Sequence, residues 1–457
     1  MIGYIRNSLT LVLAFSISLR LCSQSLSFSE SQIIMYKENN LIKAAEKQEE
    51  AYQFDLKSYK GLRFPQIDLF GAGIYRDKKI GANLNGARSE IANILDLADP
   101  EELGNWDVNF LKRDIALGGI KFTWPLFTGG KINAAIEASK IKAEIGNKEL
   151  ISTKNKLISE LAERYFQVKL AEEAVNVRKQ VLEGMNQHLY DATKMEQQGV
   201  IAPVEKLQAV VAVSEANRQL LAAQKDAQLA RLALANTLGV DQVIEELSTP
   251  FFIVPYLQPL HYYQDFAIDN YPELQKLQLQ VELSEQSIKS KQSTYYPTIS
   301  ALGNSILIHN NPIGGTERNR KPWSLGVGLT YNIFSGMQHK NEIKSAKAIK
   351  ESIVYHQDKS KKDIRTMIEK IFQDLQKQEE QIQNLDVQIV QAEELVRVRK
   401  RGFSEGVQTS TDVVDAEMNL SVIKLQKLQA SYNYVVDLAS LLEYSGLSQD
   451  FIKYTNQ

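Results

Sequence analysis

A chain of 457 residues, 44% apolar and 24% charged, has ordinary globular composition and the length of two to three domains. A net charge of −2 leaves no long-range field with which to hold nucleic acid or an acidic substrate. Past the N-terminus no stretch reaches the ~20 apolar residues of a membrane helix, so any membrane crossing must be made by strands.

Arg6 is followed by an apolar run from Leu9 to Leu19, then Arg20, Leu21, Cys22 and a Ser-rich exit. This is the layout of a secretory signal peptide, residues 1–24, cleaved near Gln24. Cys22 is the only cysteine, so the exported chain is expected to have no disulfide. Leu19-Arg20-Leu21-Cys22 is close to a lipoprotein box, but bulky Leu21 stands where a small residue is wanted, and lipidation stays open.

Helical spacing from Glu38 to Leu62 stops before Pro65, because the residue preceding a proline avoids the α region. A strand follows at about 65–76, with Ile67, Leu69, Gly71, Gly73 and Tyr75 on one face and Gln66, Asp68, Phe70, Ala72 and Ile74 on the other. Residues 77–113 read as a long polar loop with a short helix in Ser89 to Leu97. A second strand, about 115–127, places Ala116, Gly118, Ile120, Phe122, Trp124 and Leu126 opposite Leu117, Gly119, Lys121 and Thr123. Thr128 can cap the next helix, from Lys131 to about Gln198, which at 1.5 Å per residue is about 100 Å long. It breaks at Gly199, restarts after Pro203 and ends at Gly239, giving a helical hairpin over 131–239 and a first repeat over 25–240.

A Pro- and aromatic-rich connector, 241–270, precedes a second repeat, 271–446. It opens with a helix from Pro272 to Ser293, switches at Tyr296-Pro297 and gives a strand at about 297–308. A loop around Asn310 to Lys321 leads to the clearest strand, 323–334, where Trp323, Leu325, Val327, Leu329, Tyr331 and Ile333 alternate with Ser324, Gly326, Gly328, Thr330 and Asn332. A second helical hairpin spans 338–445, and 447–457 form a tail. Thr123-Trp124-Pro125-Leu126-Phe127-Thr128-Gly129 matches Thr330-Tyr331-Asn332-Ile333-Phe334-Ser335-Gly336 at an offset of 207 residues, and Gly199/Gly406 and Gly239/Gly446 keep it. Pro65 and Pro297 lie 232 apart, the difference being extra residues in the first loop.

In the second long helix, Ile364, Ile368, Ile371, Leu375, Gln378, Ile382, Leu385, Ile389, Ala392 and Val396 alternate steps of four and three, a coiled-coil seam. The same alternation at Val414, Met418, Ser421, Leu425, Leu428, Tyr432, Val435, Ala439 and Leu442 is the expected partner stripe on the returning helix. Strands of about a dozen residues can cross a bilayer, where ~9 to 11 suffice, but lipid tolerates strands only in closed barrels of about eight strands or more. Four strands per chain therefore require an oligomer, with Trp124, Trp323 and Tyr331 suited to an interfacial girdle.

Between the second pair of helices, Gly402 to Asp415 holds a glycine break at Gly406, Ser/Thr capping residues, and Asp412 and Asp415 three positions apart, on one helical face. Asp412 suits an N-terminal cap, and the pair equally suits a charged ring in a pore. The histidines, His188, His261, His309, His339 and His356, lack metal-ligand spacing. Gly129-Gly130-Lys131 has Pro125 where a phosphate loop needs glycine. With no nucleophile and base arrangement either, neither an enzyme nor a metal or other cofactor is expected.

The order of helix, Pro, strand, loop, strand ending Phe-[Ser/Thr]-Gly, long helix, Gly tip and return helix, twice over, resembles the outer-membrane efflux proteins of the TolC family. The sharpest segment, Gly406-Val407-Gln408-Thr409-Ser410-Thr411-Asp412-Val413-Val414-Asp415-Ala416, is similar to that family's G-x-x-x-x-x-D-V-[LV]-D-A tip, and Tyr432-Asn433-Tyr434 follows. The resemblance implies an all-α-dominated membrane protein with β-barrel strands. Three chains would contribute two β-hairpins each to a 12-stranded barrel in outer-membrane lipid, and their long coiled-coil helices would form a periplasmic tunnel closed at the tips. It implies an exit duct of a tripartite efflux or type I secretion system, partnered by a periplasmic adaptor (membrane fusion) protein and an inner-membrane pump of RND or ABC type. Gly199, Val200, Ile201 and Ala202, with Gly406, Val407, Gln408 and Thr409, match its adaptor-docking tips, and Asp412 and Asp415 its aperture carboxylates. Where well-known members bond the tunnel shut with a tip tyrosine and arginine, this chain has Phe403 and Gln408, and Glu205 stands for an aspartate. A phenyl ring cannot make that bond, so a different lock is expected. The other class of reading is a periplasmic coiled-coil adaptor or scaffold without a pore.

Overall fold

The computed structural model describes residues 25–78, 80–111, 113–309 and 323–455. The expected signal peptide with Cys22, and the loop expected at Asn310 to Lys321, lie outside them. In chain order the elements are α1 (Phe28–Glu38), α2 (Asn40–Gly61), β1 (Gln66–Tyr75), β2 (Ile80–Asn83), α3 (Asn85–Ile94), β3 (Asp107–Leu111), β4 (Asp114–Phe127), α4 (Lys131–Gln197) and α5 (Pro203–Leu238). Then come α6 (Leu260–Asn270), α7 (Pro272–Gln292), β5 (Thr298–His309), β6 (Trp323–Thr330), α8 (Gln338–Ser404), α9 (Ser410–Tyr444) and α10 (Phe451–Thr455).

Local chemistry explains where these elements stop. The helix expected from Glu38 to Leu62 is α2, and α1, which was not expected, precedes it; Asn39 turns the chain between them, its Nδ2 donating to Thr237 O at 2.8 Å while its Oδ1 accepts from Leu41 N at 2.8 Å. β6 ends at Thr330, opposite Thr298, because the next partner would be Pro297, which has no N–H for the ladder. The polar loop expected at 77–113 contains the β2–β3 hairpin and α3, which begins four residues earlier than expected. α4 and α8 each run for 67 residues, about 100 Å.

The chain divides into two compact units, each drawing on both halves of the sequence. One holds Tyr52–Lys142 and Val281–Glu351, with a four-stranded antiparallel sheet in the order β1-β4-β5-β6. Its register sorts the side chains by face, because a strand's side chains alternate. One face carries the rows Ile67–Phe122–Gly303–Leu325, Leu69–Ile120–Ser305–Trp323 and Trp124–Ala301–Val327. The other carries Asp68–Lys121–Asn304–Ser324 and Gln66–Thr123–Leu302–Gly326. Ser324 Oγ donates to Asn304 Oδ1 at 3.0 Å along the first of these. One face is therefore apolar and exposed, the other carries these polar rows and beyond them the apolar row Phe70–Gly119–Ile306, and β1 and β6 are edges within the chain.

The other unit takes the residues up to Ala51, Ala143–Gln280 and those from Ser352 on. Its core gathers Phe28, Tyr165, Phe166 and Phe451, all fully buried, with ring centroids 4.9–6.1 Å apart. Each such side chain contributes about 1.5–3 kcal/mol by burial. Tyr165 Oη donates to Leu26 O at 2.7 Å and accepts from Thr249 N at 3.0 Å, fastening the segment before α1 to the connector. That connector also forms a parallel bridge, Leu26 to Leu247, and is capped by Val254 N donating to Tyr434 Oη at 3.2 Å.

The seam of α8 is buried at Ile368, Ile371, Leu375, Gln378, Ile382, Ala392 and Val396. Away from the tips its expected partner stripe on α9 shares one core with it, Val435, Ala439 and Leu442 beside Ile368, Ile371, Leu375 and Ile382, but near the tips the partner differs from expectation. Ala416 and Leu420 pack on Ala392 and Val396, whereas Val414 and Met418 pack on Val181, Met185 and Ala216 of the first hairpin. α9 has neighbours on two sides, so its apolar arc is wider than one seam, and a step of four and three cannot choose between two adjacent stripes.

Candidate functional site

The expected site residues lie at the tips of the two helical hairpins, all within the unit just described. At the first tip, Val200 N donates to Met195 O at 2.9 Å and Gly199 adopts φ 73°, closing α4 with a left-handed residue. Ala202 has no side-chain cap to offer, and Pro203 begins α5. At the second tip, Val407 N donates to Gly402 O at 2.9 Å and Gly406 has φ 77°. Val200 and Val407 are 56% and 71% exposed.

Asp412 is held on both oxygens. Thr409 and Asp412 form a capping box, with Thr409 N and Oγ1 donating to Asp412 Oδ2 at 2.9 and 2.7 Å and Asp412 N donating to Thr409 Oγ1 at 3.2 Å. Arg399 Nη1 donates to Asp412 Oδ1 at 3.1 Å and also to Gln408 Oε1. The Thr409 bonds, and then the Arg399 charge, hold the Asp412 carboxyl below its ordinary range. Asp415 is exposed and has no hydrogen bond or ion pair among the described residues.

The two hairpins meet at Ser410, the first residue of α9. Its N–H donates to Glu205 Oε2 at 2.7 Å, and its Oγ pairs with His188 Nε2 at 2.7 Å. One residue on, Thr411 Oγ1 donates to Gln208 Oε1 at 2.9 Å. His188 is buried, its ring edge-on to Phe403 at 4.6 Å, and Phe403 sits in a small core with Ala192, Ala209 and Val413. Burial pushes the His188 imidazole below its ordinary pKa, keeping it neutral. Lys400 Nζ lies 2.5 Å from Glu417, a buried carboxylate of α9.

Each expected residue thus has a definite place. Glu205 joins α5 to α9, Gln408 ties the tip turn to Arg399 of α8, Phe403 is packing, Asp412 is a cap and ion pair, and Asp415 stands free. Sequence reasoning missed Arg399, His188 and Ser410. The signal for Arg399 was its place in the basic run Arg399-Lys400-Arg401, one to two turns ahead of the Gly406 break. Beside the tips, Met185, Leu207, Val211, Val414 and Met418 line an apolar groove of about 450 Å³.

The outer membrane efflux protein family profile matches residues 35–240 and 265–447, both halves of the chain. The alkaline protease secretion protein AprF of Pseudomonas aeruginosa is 19% identical over 310 residues, covering 67% of this chain and 64% of AprF, so the match spans less than two thirds of that relative. Among solved structures, CusC superposes with a TM-score of 0.76 at 14% identity over 92% of each chain. The outer membrane protein VceC of Vibrio cholerae superposes with a TM-score of 0.72 at 15% identity, over 92% of this chain and 96% of VceC. Matched across both repeats in sequence and along nearly its whole length in fold, the chain belongs to the outer membrane efflux protein family and is an outer-membrane protein.

Proposed function

We propose that the protein is the exit duct of a tripartite efflux or type I secretion system, passively conducting what an inner-membrane pump supplies. The observation that carries this is the sheet: four antiparallel strands with one apolar, exposed face, polar rows on the other, and two open edges. In lipid such edges must be paired, so copies of the chain must close the sheet. Three chains give 12 strands, within the range of transmembrane barrels. The rival reading, a periplasmic adaptor without a pore, has no use for an exposed apolar sheet face. AprF is by name a secretion protein, in keeping with a duct that serves a pump. The periplasmic adaptor is taken to dock at Gly199–Ala202 and Gly406–Thr409, whose exposed valines offer it contact, and the pump is of RND or ABC type. Purified protein in planar bilayers should form conducting channels, and a protein that stays out of the bilayer refutes the duct.

Within the duct, Asp415 is the carboxylate with the freedom to face the aperture, since both oxygens of Asp412 are committed. Three copies of Asp415 would form a cation-favouring ring. Asp415→Ala should therefore weaken cation selectivity and block by multivalent cations, while Asp412→Ala should chiefly raise the resting conductance by loosening the tip. Equal selectivity in wild type and Asp415→Ala would remove Asp415 from the pore. At the docking tips, Val407→Asp should lower export severalfold in cells without lowering the amount of assembled protein in the outer membrane, and undiminished export would move the adaptor contact elsewhere.

A further inference from the structure

In the sheet-bearing unit, a groove of about 790 Å³ opens where β4 passes into α4 and α7 passes toward β5. Its wall from α8 supplies Lys340, Lys344 and Lys347, spaced to share one helix face, and α7 supplies Lys289. Against these four cations the lining holds one carboxylate, Glu137. None of the four lysines has an ion pair within 4.0 Å among the described residues. Neighbouring lysines outside the groove are paired, Lys291 with Glu342 at 3.1 Å and Lys350 with Glu285 at 2.7 Å. Like charges one turn apart destabilise a helix, so three on one face, left unpaired beside a cavity, point to an anion that neutralises them.

The level of the groove says which anion. Gly129 lies two residues beyond the end of β4, and Tyr296 two residues before β5 begins, so both line the groove at the helix-side end of the sheet. Trp124, Phe127, Tyr295 and Tyr296 are all exposed at this end. Aromatic side chains with Lys heads beside them mark a membrane–water boundary, and here it is the one facing the periplasm. We propose that this groove binds the phosphodiester headgroup of an anionic phospholipid of the periplasmic leaflet, with Lys289, Lys340, Lys344 and Lys347 on the phosphate. Basic pockets at this depth recognise such headgroups in membrane proteins. The proposal rests on the sheet being the membrane-crossing part of the protein.

The test uses the assembled protein in nanodiscs of phosphatidylcholine with a minority of phosphatidylglycerol, lipid bound to the protein being counted by native mass spectrometry. Wild type should retain phosphatidylglycerol over phosphatidylcholine, and Lys340→Gln/Lys344→Gln/Lys347→Gln should lose about tenfold or more of that preference. The matching triple Lys→Arg variant should keep it. Equal retention by wild type and the Gln variant overturns the proposal. So does protection by inorganic phosphate alone, which would make the groove a free-anion site, or block of the channel current by a soluble polyanion that only the Gln variant escapes, which would make it a cargo site. Failure of the membrane reading is a different result, since then neither wild type nor variant enters the nanodisc.

Discussion

Gly119→Ala is expected to keep the protein from assembling in the outer membrane. Gly119 lies in β4, paired with Phe70 of β1 on one side and with Ile306 of β5 on the other. A Cβ there would come closer to the Ser305 carbonyl oxygen than side chains tolerate, 3.0 Å from Ile306 Cα and 3.2 Å from Phe70 Cζ. The first two are backbone atoms of the β4–β5 ladder, the junction between the two halves of the chain, and they cannot step aside as a side chain could. Overpacking of this kind costs about 1–3 kcal/mol per chain even where side chains can yield. Gly118→Ala is the control, because its Cβ would meet only Phe70 O, at 3.5 Å, and should be accommodated. The readout is the yield of oligomer extracted from outer membranes. Equal yields from the two variants would show that the β4–β5 pairing is not as close as described.

That glycine also marks the limit of what could be read ahead of the structure. Alternation placed Gly119 on the face of Lys121 and Thr123, but which neighbour lies over it depends on a register between strands almost 190 positions apart. The tips were more legible. The 207-residue offset tied Gly199 to Gly406 and Gly239 to Gly446, and all four have φ between 73° and 78°, where only glycine is at ease. The α8 seam was legible for the same reason, since a long one-sided helix writes its burial as a single period. α9 wrote two overlapping stripes, and near the tips the wrong one of the two was matched to α8. The β2–β3 hairpin was lost because strands of four and five residues are too short to show a period. Arg399 and His188 were lost for another reason: a helix-borne arginine near a turn looks like a solvated charge, and only the fold shows it reaching Asp412 and Gln408.

The clasp at Ser410 should make the tip sensitive to acid. His188 of α4 and Glu205 of α5, both in the first hairpin, grip one residue of the second. The groups facing the imidazole are Asp191 on its own helix, Glu205 on α5, Lys400 on α8 and Glu417 on α9. Desolvation outweighs the three carboxylates, so the folded chain prefers a neutral ring. The sign follows from proton linkage: with the folded pKa below the ordinary 6.5, the unfolded or opened tip binds more protons in the window beneath that value. The clasp is therefore at full strength above pH 6.5 and weakens as pH falls toward the depressed pKa of the folded form. Resting conductance of the wild-type channel in planar bilayers should rise severalfold between pH 7.5 and pH 5. His188→Gln keeps a group able to bond the Ser410 hydroxyl but cannot take a charge, so its conductance should change far less over the same range. Glu205→Gln separates the two arms of the clasp: it weakens the bond to the Ser410 N–H at every pH and should raise conductance while leaving the acid response in place. An acid response as large in His188→Gln as in wild type would assign it to the carboxylates of the tip instead.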